Sequence, residues 1–302
     1  MKAMSASYTI KDLENLSGIK AHTIRIWEKR YGLLVPQRTD TNIRRYSDDD
    51  LKKIINISLL VNRGFKISKI AALSEEELYH HALKVNSKPE DTNDRIEKLI
   101  FYMLSLDVNS LELEVESLIQ EAGVEKAIYQ YIFPLMEKIG TLWQANSIVP
   151  AQEHFVFNFL RQKLIIETDK LPKTDGNEQL SGLFFLPEGE NHEFSLLFYN
   201  YLARKNGHHT LYLGQSVPLS DILTIAESFH FDYYFTAIIT SSPKDDFEQF
   251  LSDFSSKVSA SMLYVTGKEA QNYKRKHPRN TRIVSQPEKF AVEIKSLDTK
   301  KK

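Results

Sequence analysis

Hydrophobic periodicity changes once along this chain, at Leu180, and that change limits the fold more than any other feature. Before it, apolar residues recur at helical spacing. After it come five short β-rich runs: GLFFL (182–186), TLYLG (210–214), YYFTAII (233–239), SMLYV (261–265) and RIV (282–284). Amphipathic helical stretches follow them at 193–206, 219–230, 245–258, 268–276 and 287–297. Strands and helices alternating at this spacing predict an α/β doubly wound, parallel, five-stranded sheet of flavodoxin-like type over residues 180–298. Such sheets take ligands beyond the carboxyl ends of their strands. The Lys300–Lys302 tail reads as disordered.

The helical part divides in two. Residues 85–94 (VNSKPEDTND) read as a linker, as do residues 171–179. Between them, helices over 94–105, 108–121, 124–145 and 149–170, with short connections, predict a four-helix bundle over residues 92–172. Asp107-Val-Asn marks one break, and Pro150 sits in the first turn of the last helix. Residues 1–80 form a third, all-α domain. A short helix at 9–17 turns inward Leu13 and Leu16, Ser17-Gly18 is the turn, and a second helix spans 21–30. Gly32 suits a left-handed cap, and Pro36 with RTDTN suggests a wing. Ser47 and the three acids after it start a helix reaching about Asn62. The chain is thus multidomain: a winged helix-turn-helix head, a four-helix bundle and a doubly wound sheet.

Charge separates the head from the rest. Residues 1–74 hold 14 Lys and Arg against 7 Asp and Glu, a surplus of +7, and the whole chain carries −1. A basic head on an acidic body points to a polyanion as the head's partner. No cysteine is present, which excludes disulfides and thiolate metal sites and suits a reducing cytoplasm. The longest apolar run is too short to cross a bilayer and no signal peptide opens the chain, so no membrane partner is expected.

His22, Thr23, Arg25, Lys29 and Arg30 line the second helix, where a recognition helix needs small, polar and cationic groups. Arg38, Arg44 and Arg45 add charge on the wing, and Tyr46 is placed to hydrogen-bond a phosphate. Trp27 has two roles open to it, core residue or DNA contact. The T-I-R-x-W-E run at 23–28, the Tyr31-Gly32-Leu33 step and the R-R-Y-S end of the wing resemble the MerR family of transcription regulators. That resemblance spans residues 8–78. It implies a winged helix, a dimer on an inverted-repeat operator in double-stranded DNA, and control of a promoter. Family members often carry Gly-Tyr before the wing arginine, where Asn42-Ile43 stands here.

Two features follow the head. PEGENHEFS (187–195) puts His192 at the carboxyl edge of the sheet, with Glu190 placed to hold one ring nitrogen. Trp143 is followed after nine residues by Glu153-His154, a candidate polar-aromatic patch on the bundle. His208-His209 reads as an exposed strand start, and His80-His81 as a favourable charge at a helix end.

This combination resembles the cobalamin-binding modules of methionine synthase type, above all the light-sensing, MerR-headed repressors that bind adenosylcobalamin. The resemblance covers about residues 92–298. It implies that His192, from the Glu190-Asn191-His192 motif, is the lower axial cobalt ligand. It also implies that Trp143, Glu153 and His154 cap the upper face, and that Leu213-Gly214 with Pro218 form a turn after the second strand. Two departures fall on the pocket for the ligand's nucleotide tail. Ser195 stands in place of a glycine, and Thr266-Gly267 in place of a glycine pair, while Thr240-Ser241-Ser242 occupies the third-strand loop. The resemblance implies a repressor in which light breaks the upper cobalt–carbon bond, a homo-oligomer (dimer or tetramer) falls apart and DNA affinity drops. The departures leave open another tetrapyrrole, such as a bilin, or a ligand-independent sensor. A corrinoid enzyme or methyl carrier would need a separate substrate-activating domain, and no segment is long enough for one. No catalytic residue is assigned.

Overall fold

The computed structural model describes residues 8–39, 42–62, 64–75, 77–78, 92–144, 148–172, 180–239, 244–273 and 275–301. They fall into two compact units, Met1–Asn158 and Phe159–Lys302. Head and bundle share the first unit, and the boundary lies inside the last bundle helix.

In the head, helix α1 (Ile10–Ser17) starts with a reciprocal cap: Asp12 N donates to Thr9 Oγ1 (3.2 Å) and Thr9 N to Asp12 Oδ2 (2.7 Å). It ends at Gly18, whose φ of 72° is left-handed. Helix α2 (Ala21–Tyr31) stops in the same way at Gly32. Strands β1 (Gln37–Arg38) and β2 (Arg44–Arg45) pair antiparallel as the wing. Helix α3 (Asp48–Asn62) opens on a second reciprocal cap, Ser47 with Asp50, and the short α4 (Ile67–Ile70) follows. Leu13, Leu16, Ile24 and Trp27 all face the core, so the packing role is the one Trp27 fills.

The bundle helices are α5 (Thr92–Ser105), α6 (Val108–Ala122), then α7 (Val124–Ala127) running through a π turn (Ile128–Ile132) into α8 (Phe133–Gln144), and α9 (Pro150–Asp169). The expected linker end at 92–94 is already helix. Helix α5 buries its charges as well as its apolar residues. Asp94, Arg95, Glu97 and Lys98 are each under 10 % exposed. Arg95 pairs with Glu121 at 2.8 Å and Glu114 at 3.4 Å. Toward the head, Asn62 Nδ2 donates to Asp94 Oδ1 (3.3 Å). The Ser58 hydroxyl donates to the Ser17 carbonyl (2.6 Å), with Glu97 Oε2 3.2 Å away. Buried charges persist only when paired and hydrogen-bonded, so polar contacts join α3 and α5.

In the second unit, five parallel strands run in the order β4-β3-β5-β6-β7: β3 (Ser181–Pro187), β4 (His209–Val217), β5 (Tyr233–Ala237), β6 (Met262–Thr266) and β7 (Thr281–Ile283). Helices α10 (Phe194–Lys205), α11 (Leu219–Ser228), α12 (Lys244–Lys257), α13 (Lys268–Asn272) and α14 (Pro287–Lys301) connect and close them. Residues expected as a disordered tail are therefore helical as far as Lys301. Alternation along the strands fills both sheet faces. Leu183, Phe185, Tyr234 and Val265 join Ile222, Leu251 and Phe254 on one face. On the other, Phe184, Tyr233, Phe235 and Tyr264 meet Tyr199 of α10 and Phe290 of α14. His208 belongs to this second layer. It is 4 % exposed with Nδ1 3.0 Å from the Tyr233 hydroxyl, so its expected exposure is corrected, while His209 is exposed as anticipated.

Burial raises the phenols of Tyr234 and Tyr264 from 10.0 to about 12. An unfolded chain ionises these groups near pH 10 while the folded one holds their protons. The stabilisation is thus complete below pH 10 and is lost as pH rises toward 12. Urea unfolding midpoints should fall between pH 8 and pH 11; equal midpoints would contradict the burial of these phenols.

Candidate functional site

Two places in the structure carry chemistry. The first is the head's outer surface. On α2, His22, Arg25, Ile26 and Lys29 are exposed and lie one turn apart on a single stripe, opposite buried Ile24 and Trp27. Thr23 is half-buried, and Arg30 is exposed with its guanidinium 5.4 Å from the Tyr31 ring. Ile26, 52 % exposed, was missed by sequence reasoning; an apolar group there suits a thymine methyl.

Glu28 organises the wing. Its carboxylate accepts from Arg44 Nε at 3.1 and 3.2 Å and from the Tyr46 hydroxyl at 3.3 Å. This corrects one expectation. Tyr46 is 1 % exposed and also bridges to Tyr8, so its hydroxyl is turned inward to Glu28 and away from any phosphate. Burial, then Glu28, pushes its phenol up to about 12. Arg44 ties the wing to α2, while Arg38 and Arg45 stand on the wing's two strands. Asn42 takes a φ of 63°, the left-handed position where family members often have glycine, and receives Arg38 Nη1 on its Oδ1 at 2.6 Å.

The second place is the carboxyl edge of the sheet, built around Glu190. Its carboxylate is almost fully buried in the loop between β3 and α10. Oε1 accepts from the backbone N of Asn191 and of His192, both 3.0 Å, and lies 2.7 Å from His192 Nδ1. Oε2 accepts from Ile239 N, just past β5, at 2.9 Å. The same loop is strapped to β4: Gly189 N donates to Ser216 Oγ (3.0 Å), and Gln215 Nε2 to the Asn191 carbonyl (2.9 Å). A carboxylate partner places the proton on Nδ1, which leaves the lone pair on Nε2. The His192 side chain is 45 % exposed. Next to it, Glu193 accepts from Arg161 of α9 and from the Tyr212 hydroxyl (3.0 Å). Burial and then Glu193 raise the Tyr212 phenol well above its usual range.

The remaining expected site residues divide. Leu213-Gly214 lies inside β4 at a register shift, with Gly214 at φ 83°, and is not a turn after the strand; Pro218 caps α11. Ser195 sits half-buried in the first turn of α10. Gly267, at φ 105°, follows β6, where an added Cβ would lie 2.2 Å from the Ile238 carbonyl oxygen. Thr240 and Ser242, like the His80-His81 pair, lie outside the described residues. In the first unit, Trp143 ends α8 with 45 % exposure, so it is not plain bundle core. Glu153 is in the first turn of α9, half-buried, and His154 follows it, exposed. The sequence alone showed neither that exposure nor the Ile239, Ser216 and Gln215 straps.

A single imidazole does not hold a free metal ion. Among the described residues no group of three or more His, Asp or Glu side chains is placed to bind one. One oriented Nε2 suits a metal that arrives with its other ligands in a macrocycle. A cobalt corrinoid meets that condition, and the Glu190–His192 pair fits it.

Comparison with known proteins finds family matches in the head and in the helical bundle. Residues 8–77 match the MerR HTH family of regulatory proteins, and residues 95–166 match the B12 binding domain. The HTH-type transcriptional repressor CarH of Myxococcus xanthus is 27 % identical over 252 residues, covering 81 % of this chain and 83 % of that protein. The repressor CarA of the same organism is 24 % identical over 251 residues, 81 % of each chain. In its fold the chain is similar to the monomethylamine corrinoid protein of Methanosarcina barkeri, with TM-score 0.55 and 14 % identity, over 68 % of this chain and all of that one. Among the described residues no helix is long and apolar enough to cross a membrane.

Proposed function

Since the chain joins a MerR-type DNA-binding head to a B12-binding domain, we propose that it is a transcriptional regulator, acting as a repressor, whose grip on DNA is set by a bound corrinoid. The observation that carries this reading is the Glu190–His192 pair at the carboxyl edge of the sheet, in a chain whose other unit carries a basic reading helix.

The chain's residues divide the work. The α2 stripe reads base edges in the major groove, with Arg25 as the bidentate donor, while Lys29, Arg30, Arg38 and Arg45 answer phosphates. Glu190 fixes the direction of the His192 ring, and His192 Nε2 would hold the cobalt. On the resemblance to the light-sensing repressors, Trp143, Glu153 and His154 would cap the ring. Adenosylcobalamin supplies a cobalt–carbon bond that light can break, which fits regulation by light. Paired heads on an inverted repeat bind far more tightly than single ones, through effective concentration, so a ligand that favours an oligomer favours DNA binding. The α3–α5 seam gives the bundle a direct polar hold on the head.

The test is a mobility-shift titration on upstream DNA of the chain's own gene. The protein is offered adenosylcobalamin or biliverdin, in the dark and after illumination. A corrinoid spectrum together with tighter dark binding supports the reading. Colour taken from biliverdin alone replaces the corrinoid with a bilin, and no ligand effect on DNA binding removes the sensor. On the same DNA, Arg25→Ala is expected to lose about 1–3 kcal/mol of specific binding, and raising salt from 50 to 200 mM should weaken binding steeply. Unchanged affinity in the variant would move the contact off α2, and a flat salt response would contradict phosphate binding by the head.

A further inference from the structure

Resting on the corrinoid reading above, the geometry of the sheet layers points to a narrower ligand preference: we propose that this chain grips a corrinoid by its ring and His192 alone, leaves the nucleotide tail in solvent, and so accepts tail-less corrinoids at least as well as cobalamin.

A complete cobalamin carries a benzimidazole nucleotide below the ring, on the face that His192 approaches. With an imidazole from the protein on the cobalt, that base is displaced. It must then pass down into a layer between sheet and helices, or stay outside. The layer under α10 and α14 is full. Phe235 stacks on Tyr199 at 4.4 Å and on Phe184 at 5.4 Å. Phe290 sits against Tyr199, Phe235, Tyr264 and Tyr233 at 5.0–6.3 Å. All six rings are at most 3 % exposed. Ser195 stands one helical turn before Tyr199, so the face it opens onto ends in the Tyr199–Phe235 stack. Rings at these separations touch, and a close-packed interior holds no benzimidazole-sized void.

Among the described residues, the β5–β6 junction beside this layer is bonded to itself as well. Ile238 N donates to the Thr266 carbonyl (2.9 Å), and Glu269 N to the Ile238 carbonyl (3.3 Å). Thr266 Oγ1 donates to the Val284 carbonyl at 2.8 Å. Gly267 thus lies against backbone of its own domain, where even a Cβ would meet the Ile238 carbonyl. Deeper in the same layer, Gly182 faces the Tyr233 ring so closely that a Cβ would come within 2.5 Å. On the opposite face, Leu183, Phe185, Phe254 and Ile238 belong to a second buried cluster.

Affinity follows from this packing. A buried tail would repay the release of cobalamin's own base from cobalt. A tail in solvent repays nothing, whereas cobinamide, which lacks the nucleotide, has no base to release.

The full chain is titrated in the dark with adenosylcobinamide and with adenosylcobalamin, following the corrin bands and the cobalt retained after gel filtration. The expected result is that adenosylcobinamide binds as tightly as adenosylcobalamin or more tightly, and that His192→Ala loses both. Adenosylcobalamin binding more than about tenfold more tightly (about 1.4 kcal/mol) overturns the proposal and leaves the regulator reading intact. If neither corrinoid binds, the corrinoid reading falls and this one falls with it.

Discussion

His192→Ala should give a folded protein that takes up no corrinoid. The substitution removes the ring but not the backbone N that Glu190 also uses, and Asn191 N and Ile239 N stay on the same carboxylate. The loop therefore keeps its straps to β4 and β5. What disappears is the one ring nitrogen aimed by Glu190. Disturbing an orienting partner typically weakens a metal site about 10–100-fold, so losing the ligand itself should cost more than about a hundredfold. Glu190→Gln separates aiming from ligation. It keeps the size of the side chain but weakens its hold on Nδ1, and should lie between wild type and His192→Ala. Equilibrium dialysis with adenosylcobalamin reads these effects, and circular dichroism checks the fold. A wild-type corrinoid spectrum from His192→Ala would remove His192 from the site.

The second large effect falls on stability. Gly267→Ala is expected to destabilise the sheet unit by roughly 2–5 kcal/mol. A side chain at φ 105° is strained, and the new Cβ would press on the Ile238 oxygen, carbon and nitrogen at 2.2, 2.6 and 2.9 Å. Those neighbours are backbone held in the β5–β6 junction, so they cannot swing aside. Against a usual stability of about 5–15 kcal/mol, such a loss is a large fraction. Gly189→Ala is the matched control. It shares a positive φ, 83°, but meets nothing within 4 Å, so only backbone strain of about 1–2 kcal/mol applies. Urea unfolding of both variants checks the contrast, and equal midpoints would mean that crowding at Gly267 plays no part. Gly267 shows a local structural use for a position that the resemblance puts near a ligand: it lets two strands' loops touch.

The polar seam between head and bundle bears on how a ligand signal reaches DNA. Asp94 and Glu97 face α3, while Arg95 of the same helix is held by Glu114 and Glu121 of α6. A change in bundle packing that shifts α6 therefore acts on the helix whose other face holds the head. Removing one member of such a network leaves its partner buried and unmatched, which makes the seam a brittle joint rather than a loose tether.

Local chemistry was legible without a structure wherever the chain interacts with itself at short range. Gly18 and Gly32 end helices because their backbones turn left-handed, and Ser47 with Asp50 starts α3 because an exposed N–H needs an acceptor. The switch of hydrophobic period at Leu180 gave the strand order's raw material, and two residues' spacing was enough to pair Glu190 with His192. Long-range burial was decided elsewhere. Tyr46 turns inward because Tyr8 and Glu28 meet it there, and His208 because Tyr233 does. The charges at the start of α5 resemble a solvated linker in one dimension and become a buried joint in three. The physical reason is common to all of them. Periodicity tells which residues of an element share a face, but the free energy of covering that face depends on what a distant segment brings to it. Only the assembled structure could show that both layers of the sheet are filled by the chain's own aromatic and aliphatic side chains.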